Sequence, residues 1–338
     1  MVKYSFTLIL LAILLAGCED QRMKKYPWIA TATTPKAFPA FLVDATLTLE
    51  DGKPLRLFLS QTQIRGKWGR SPYLDYVGEH EKYPPTALNV TWFSYAEDQL
   101  YRAHCPFELD KIKTLFASSY SEPWRGKDYT FSKVTVGVAP GGHVSVWLQG
   151  AASVLIGVCK GQKIDLPYQQ WSDIPSINRQ EFIALAAQEY DESDGVPPFG
   201  NPIDTSLWDR YNHWFQWQPT LVHAPEGSFF RMWTYGAEHY LFKVAKSPWQ
   251  HRNAHQVPST FIIYMERDGY QYSAKITFDE EEVFNAFAKF DKLVESEPFQ
   301  LQIEVSNNLQ GVAIWLKTSK HAFMFEKLLV DINKRRKK

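Results

Sequence analysis

The sequence predicts an α+β protein of two tandem related domains, each an antiparallel sheet with a strand-strand-helix-strand-strand core and the helix packed on one face. Three observations lead there. Apolar residues alternate in runs such as "VTVGVAPGGHVSVWLQG", Val134 to Gly150, the two-residue period of strands. Two stretches of helical period open on acidic residues, at Asp110 and at Asp279 to Glu282, where a helix N-terminus favours negative charge. The chain also resembles itself. "LNVTWFSYAEDQLYRAHCPFELDKIKTLF" from Leu88 aligns with "TFIIYMERDGYQYSAKITFDEEEVFNAF" from Thr260, placing Tyr101 on Tyr272, Phe107 on Phe278, Ile112 on Val283 and Phe116 on Phe287. "VSVWL" at Val144 then meets "VAIWL" at Val312.

Taken in order, the elements divide the chain as follows. Opening strands are expected in "YPWIATATTP", from Tyr26, and "FQWQPTLVHAP", from Phe215. They place the first domain at 26–160 and the second at 213–333. In the 161–212 linker, Asn178 and Glu181 form a capping pair for a helix, and "DESDGVPPFGNP" reads as a loop, a hinge in preference to a contact surface. The Pro140-Gly141-Gly142 segment is read as a hairpin turn and not a phosphate loop, because strand pattern resumes at once. His143, beside it, is read as a solvent-exposed turn residue. "KRRKK" at 334–338 reads as a solvated basic tail.

Before all this stands "MVKYSFTLILLAILLAGCED", whose apolar stretch is shorter than the ~20 residues that span a bilayer and has the layout of a secretory signal. "LAGC", Leu15 to Cys18, resembles the bacterial lipoprotein signal. That resemblance implies a lipoprotein signal peptide at 1–18 with a lipidated Cys18 that becomes the new N-terminus, and anchorage on the periplasmic face of the envelope, with Glu19 favouring the outer membrane over the inner. In an oxidising compartment Cys105 and Cys159 are candidates for a disulfide; two buried free thiols are the alternative.

With 338 residues and 45% hydrophobic content the chain can bury two cores, and its formal net charge of +0 argues against nucleic acid as a partner. No catalytic, cofactor or metal motif is present. His251 and His255 are four apart but in a polar, proline-terminated segment, so no metal site is expected there. The aromatic content is 15%, with 12 Trp, and is denser in "RYNHWFQWQP" and "SFFRMWTYG" than two small cores obviously require, with core packing as the leading reading of these side chains. Trp, Tyr and Arg together are the residues of interface hot spots, and also of glycan stacking.

The hairpin residues Gly137, Ala139 to Gly142, Val144, Val146, Trp147 and Leu148, behind the "WFS" of Trp92 to Ser94, resemble the DUF2931 family of bacterial lipoproteins. In size, signal and setting its members resemble periplasmic immunity lipoproteins directed against phospholipase effectors of type VI secretion. The expectation is therefore a non-enzymatic, lipid-anchored protein that binds a phospholipase-like toxin. A structural or peptidoglycan-binding lipoprotein is the alternative, and a hydrolase with dispersed residues a third reading.

Overall fold

A computed structural model describes residues 23–73, 77–122, 127–150, 152–188, 202–243, 254–293 and 298–337. Cys18 with the whole leader, His251, and "DESDGVPPFG" of the interdomain loop lie outside the described residues. The fold is mostly β-sheet with a few helices, an α+β protein.

The first half contains β1 (Ile29–Thr33), β2 (Ala40–Leu49), β3 (Pro85–Ser94), β4 (Gln99–Pro106), α1 (Leu109–Ala117), β5 (Lys133–Ala139), β6 (His143–Gln149), β7 (Ser153–Lys160) and β8 (Gln162–Ile164). Then come α2 (Arg179–Gln188) and α3 (Leu207–Asn212). The second half contains β9 (Trp214–Val222), β10 (Phe229–Thr234), β11 (His239–Lys243), β12 (Pro258–Arg267), β13 (Tyr270–Phe278), α4 (Glu280–Asp291), β14 (Phe299–Val305), β15 (Val312–Lys317), β16 (Ala322–Met324) and β17 (Leu328–Arg336).

Strands β2, β3, β4 and β8 pair antiparallel in that order, while β1 runs parallel to β5, which continues antiparallel through β6 to β7. In the second half β10, β12, β13 and β17 pair antiparallel in that order, while β9 runs parallel to β14, which continues antiparallel through β15 to β16. The expectation of one antiparallel sheet per half is corrected here. The hairpins before and after each helix belong to different sheets, and the opening strand makes a parallel pair. The reason is burial: Val134 to Ala139 and the whole of β6 are buried, as in strands covered on both faces, so alternation in the sequence did not mean one solvated face.

One ladder contact, Ser153 opposite His239, joins β7 to β11 and fuses strands of both halves into a nine-stranded sheet. Against β3, α1 buries Ile112, Leu115 and Phe116, and against β9 and β15, α4 buries Val283, Phe284, Phe287 and Phe290. Asp279 caps α4 by accepting the Glu282 amide, and the Asn178–Glu181 pair caps α2 reciprocally, with both bonds 2.9 Å.

The linker is packed where it is described. Trp171 and Phe182 of α2 lie on Phe41 and Phe93, covering the outer face of β2 and β3, and β8 carries the first sheet to Ile164, past the expected boundary at 160. The basic terminus is also corrected. Lys334 to Arg336 pair with Tyr272 to Tyr270 of β13 and complete β17, so the run is strand and not a tail, with its side chains still exposed to solvent; Lys334 lies 4.0 Å from the Tyr270 ring centre and Lys337 pairs with Glu266 beyond it.

Candidate functional site

The Pro-Gly-Gly turn cradles an internal anion. Gly141 N–H donates to both carboxylate oxygens of Glu97 at 3.0 and 3.1 Å, and the Tyr101 hydroxyl donates to the same group at 2.9 Å. Gly141 and Gly142 both have φ +76, and a Cβ on Gly142 would stand 2.5 Å from the Gly161 carbonyl oxygen. The tip is thus locked against the rest of the chain. His143 is buried, at 3% exposure, which overturns its reading as a solvent-exposed turn residue: α3 packs over the hairpin.

That burial creates an arrangement with the residue types of acyl transfer. His143 Nε2 is 3.1 Å from Ser145 Oγ, and His143 Nδ1 is 3.6 Å from Asp209 Oδ1. Ser145 has 0% exposure, and the Asn212 amide nitrogen is bonded to both Ser145 Oγ and His143 Nε2. A substrate carbonyl has no approach to a hydroxyl so enclosed, so the cluster acts in this conformation as a polar tie between β6 and α3. It continues through Gln256 to Thr234, across the halves.

Trp147, on the same face of β6, donates its indole N–H to the Gly236 carbonyl oxygen at 2.9 Å and meets Trp68 edge-on at 4.9 Å. Gly137 is glycine for this ring: a Cβ there would lie 2.5 Å from it. Trp68 belongs to a clasp, Arg65 to Arg70, closed by reciprocal backbone hydrogen bonds between Lys67 and Arg70. Its tip faces inward. Gly69 is pressed against Ala237, and its carbonyl oxygen accepts from Gln149 at 2.6 Å. Its cations Arg65, Lys67 and Arg70 are exposed, and none is within ion-pair distance of a carboxylate among the described residues.

Under the clasp lies a cleft of about 780 Å³ whose lining, among the described residues, includes Lys67, Arg70, Lys133, Arg231, Lys275 and His239 and no Asp or Glu. A second hollow of about 390 Å³ on the clasp's other side contains Arg65, Lys67 and Arg70, again without a carboxylate among the described residues. The floor of the larger cleft is one transverse row of the nine-stranded sheet. Lys133, Gln149, Ser153, His239, Trp233 and Thr260 stand opposite one another on successive strands. Burial, with Arg70 adding repulsion, pulls the Lys133 ammonium below its ordinary range. Burial, with Arg231 and Arg70, pushes His239 down to about 3; burial also pushes His143 down to about 4 against the pull of Asp209.

A pH dependence follows. Both histidines bind their proton in the unfolded chain at higher pH than in the folded one, so stability is greatest above about pH 6.5 and falls as pH drops towards 4. Each contributes a loss of roughly 1.4 kcal/mol per pH unit inside that window. The urea midpoint is therefore expected to fall markedly between pH 7 and pH 5. An unchanged midpoint would show that these rings are not held neutral.

Among the residues singled out from sequence, Cys105 and Cys159 form a disulfide with Cα atoms 5.6 Å apart. His255 is fully buried against the rings of Trp217, Tyr240 and Phe242. The segment "SFFRMWTYG" supplies Arg231, Trp233 and Tyr235 to the cleft. The clasp itself was missed, although three cations in six residues around Trp-Gly were a visible signal.

The family model described as "Protein of unknown function (DUF2931)" matches residues 17–197, more than half of the 338. No curated protein and no solved structure matches the chain. The matched region contains Lys67, Arg70 and Lys133, whereas Arg231 and Lys275 lie beyond it.

Proposed function

The chain belongs to the DUF2931 family of proteins of unknown function, and from that premise we propose that it is a lipid-anchored, periplasm-facing binding protein made of two tandem related domains. Its partner is a protein, in the role of an immunity protein that neutralises a phospholipase-type effector of type VI secretion. Supporting the duplication are the matching pairing orders of the two halves, each with one parallel opening pair. Supporting the anchor is the "LAGC" stretch at Cys18.

The observation that carries the binding reading is the clasp. Three exposed cations, without carboxylate partners among the described residues, stand on a turn whose tip is wedged between the halves, and hollows whose described lining holds no carboxylate flank it. Such a surface is pre-organised for an acidic patch, and the rigid tip lowers the entropy lost on docking. The protein would act by covering the toxin, with no reactive group of its own.

The test is survival. A strain deleted for this chain, grown against its type VI-armed parent, is expected to be killed and to be rescued by the wild-type chain. Rescue should fail with Arg65→Glu/Lys67→Glu, since truncating one side of a close interfacial charge pair costs about 2–5 kcal/mol and reversal costs more. Both side chains are exposed and unpaired, so the variant should fold. A deletion strain that survives as well as its parent would refute the immunity role.

A further inference from the structure

Beyond the protein partner, we propose that the cleft floor beneath the clasp is a binding site for a small phosphate ester carried on a ring, a phosphorylated sugar in chemical class. Lys133 enters from β5, Arg231 from β10 and Lys275 from β13, while Arg70 reaches in from the clasp, so positive charge surrounds the floor from four segments. Asp331, opposite Lys275 on β17, does not line the cleft, and neither does Glu238, the buried neighbour of His239, whose Oε1 accepts from the Leu155 amide. Lys133 and Arg70 have no carboxylate among the described lining residues, and doubly charged oxyanions suit several converging donors better than a single carboxylate does.

The rest of the floor fits the group that would carry the phosphate. Trp233 and His239 stack with ring centres 4.8 Å apart and planes 4° from parallel, forming a flat step beside the cations. Ser71, Ser153, Ser259 and Thr260 supply hydroxyls around it. The volume, about 780 Å³, lies within the range of small-molecule sites, roughly 300–1,000 Å³. Aromatic platform, hydroxyls and cations in one enclosed floor describe a polyhydroxylated anion more closely than an extended acidic peptide, which would need a stripe of charge along the surface. The phosphate could arrive as a free ester or as the headgroup of a membrane phospholipid.

The experiment uses the chain from Glu19 onward, titrated calorimetrically with glucose 1-phosphate, inorganic phosphate and glucose, and sedimented with phosphatidylcholine vesicles with and without phosphatidylinositol 4-phosphate, whose headgroup carries its phosphate on a hydroxylated ring. Glucose 1-phosphate is expected to bind about tenfold more tightly than inorganic phosphate, glucose not to bind, and both anions to weaken with salt. Lys133→Met and Arg70→Ala should each abolish the heat while leaving the urea midpoint unchanged or raised, because each removes like-charge repulsion. Binding to the phosphatidylinositol 4-phosphate vesicles alone, lost in the same variants, assigns the headgroup as the source; binding of the free ester alone assigns the soluble one. No binding in either arm, or binding that survives both variants, overturns the site. The outcome separates from the immunity test: protection that needs Arg65 and Lys67 with no phosphate binding rejects this inference only, and phosphate binding without protection rejects the immunity role only.

Discussion

Trp147→Ala is expected to destabilise the protein by about 3–5 kcal/mol, the largest effect of any single aromatic truncation in the hairpins. The ring is wholly buried, and its loss leaves a cavity bounded by Gly137 and Trp68 that neither backbone nor clasp can fill. The same change orphans the Gly236 carbonyl, which belongs to the other half of the chain. The damage should therefore concentrate at the seam, where one ladder contact joins the halves. Trp315→Ala is the control. That residue occupies the corresponding "VAIWL" strand but is only partly buried, with its indole N–H on Glu304 and its ring under Lys317, so its loss should cost about 1 kcal/mol or less. Urea midpoints of the two variants decide the matter. Equal losses would mean that Trp147 fills a core like any other tryptophan and does not tie the halves together.

Helices and hairpins were legible in the sequence because their signals are local. Asn178 with Glu181, Asp279 with Glu282, and the positive φ of Asp98, Asp268 and Gly269 at the hairpin turns are each specified by a few neighbouring residues. Membership of the DUF2931 family was legible for the same reason, through the contiguous hairpin of Val134 to Gly150. The partition of strands between sheets was not legible. Period-two alternation is the same whether a strand's second face meets water or another layer, and β6 differs from an outer strand only in what covers His143, Ser145 and Trp147.

The cleft was hidden for another reason. Lys67, Lys133, Arg231 and Lys275 lie on four separated segments, and sheet register alone brings the last three to one floor. An overall charge of +0 conceals such a concentration, because it sums over residues that never meet. Aromatic surplus in "SFFRMWTYG" pointed to the right stretch without indicating its cationic neighbours.

Removing the disulfide with Cys105→Ala/Cys159→Ala is expected to cost about 4 kcal/mol, the loop-closure value for a separation of 54 residues. The bridge runs from β4, in one sheet of the first half, to β7, which carries the seam contact at Ser153. The loop it closes holds α1 and the β5–β6 hairpin, and so Trp147 as well, so the unfolded chain is restrained around the elements that carry the clasp's support. An entropic origin makes a second, independent forecast: the unfolded state expands when the bridge is absent, so the denaturant slope should rise while the midpoint falls. Alanine is the proper replacement, since serine would bury a new hydroxyl at Cys105, which is 1% exposed. Losses from this change and from Trp147→Ala should not add, because both act on the same hairpin. If protein exported to an oxidising compartment and then denatured yields two reactive thiols per chain, the bridge does not form there. In that case stability of the seam must rest on Trp147 and the clasp alone.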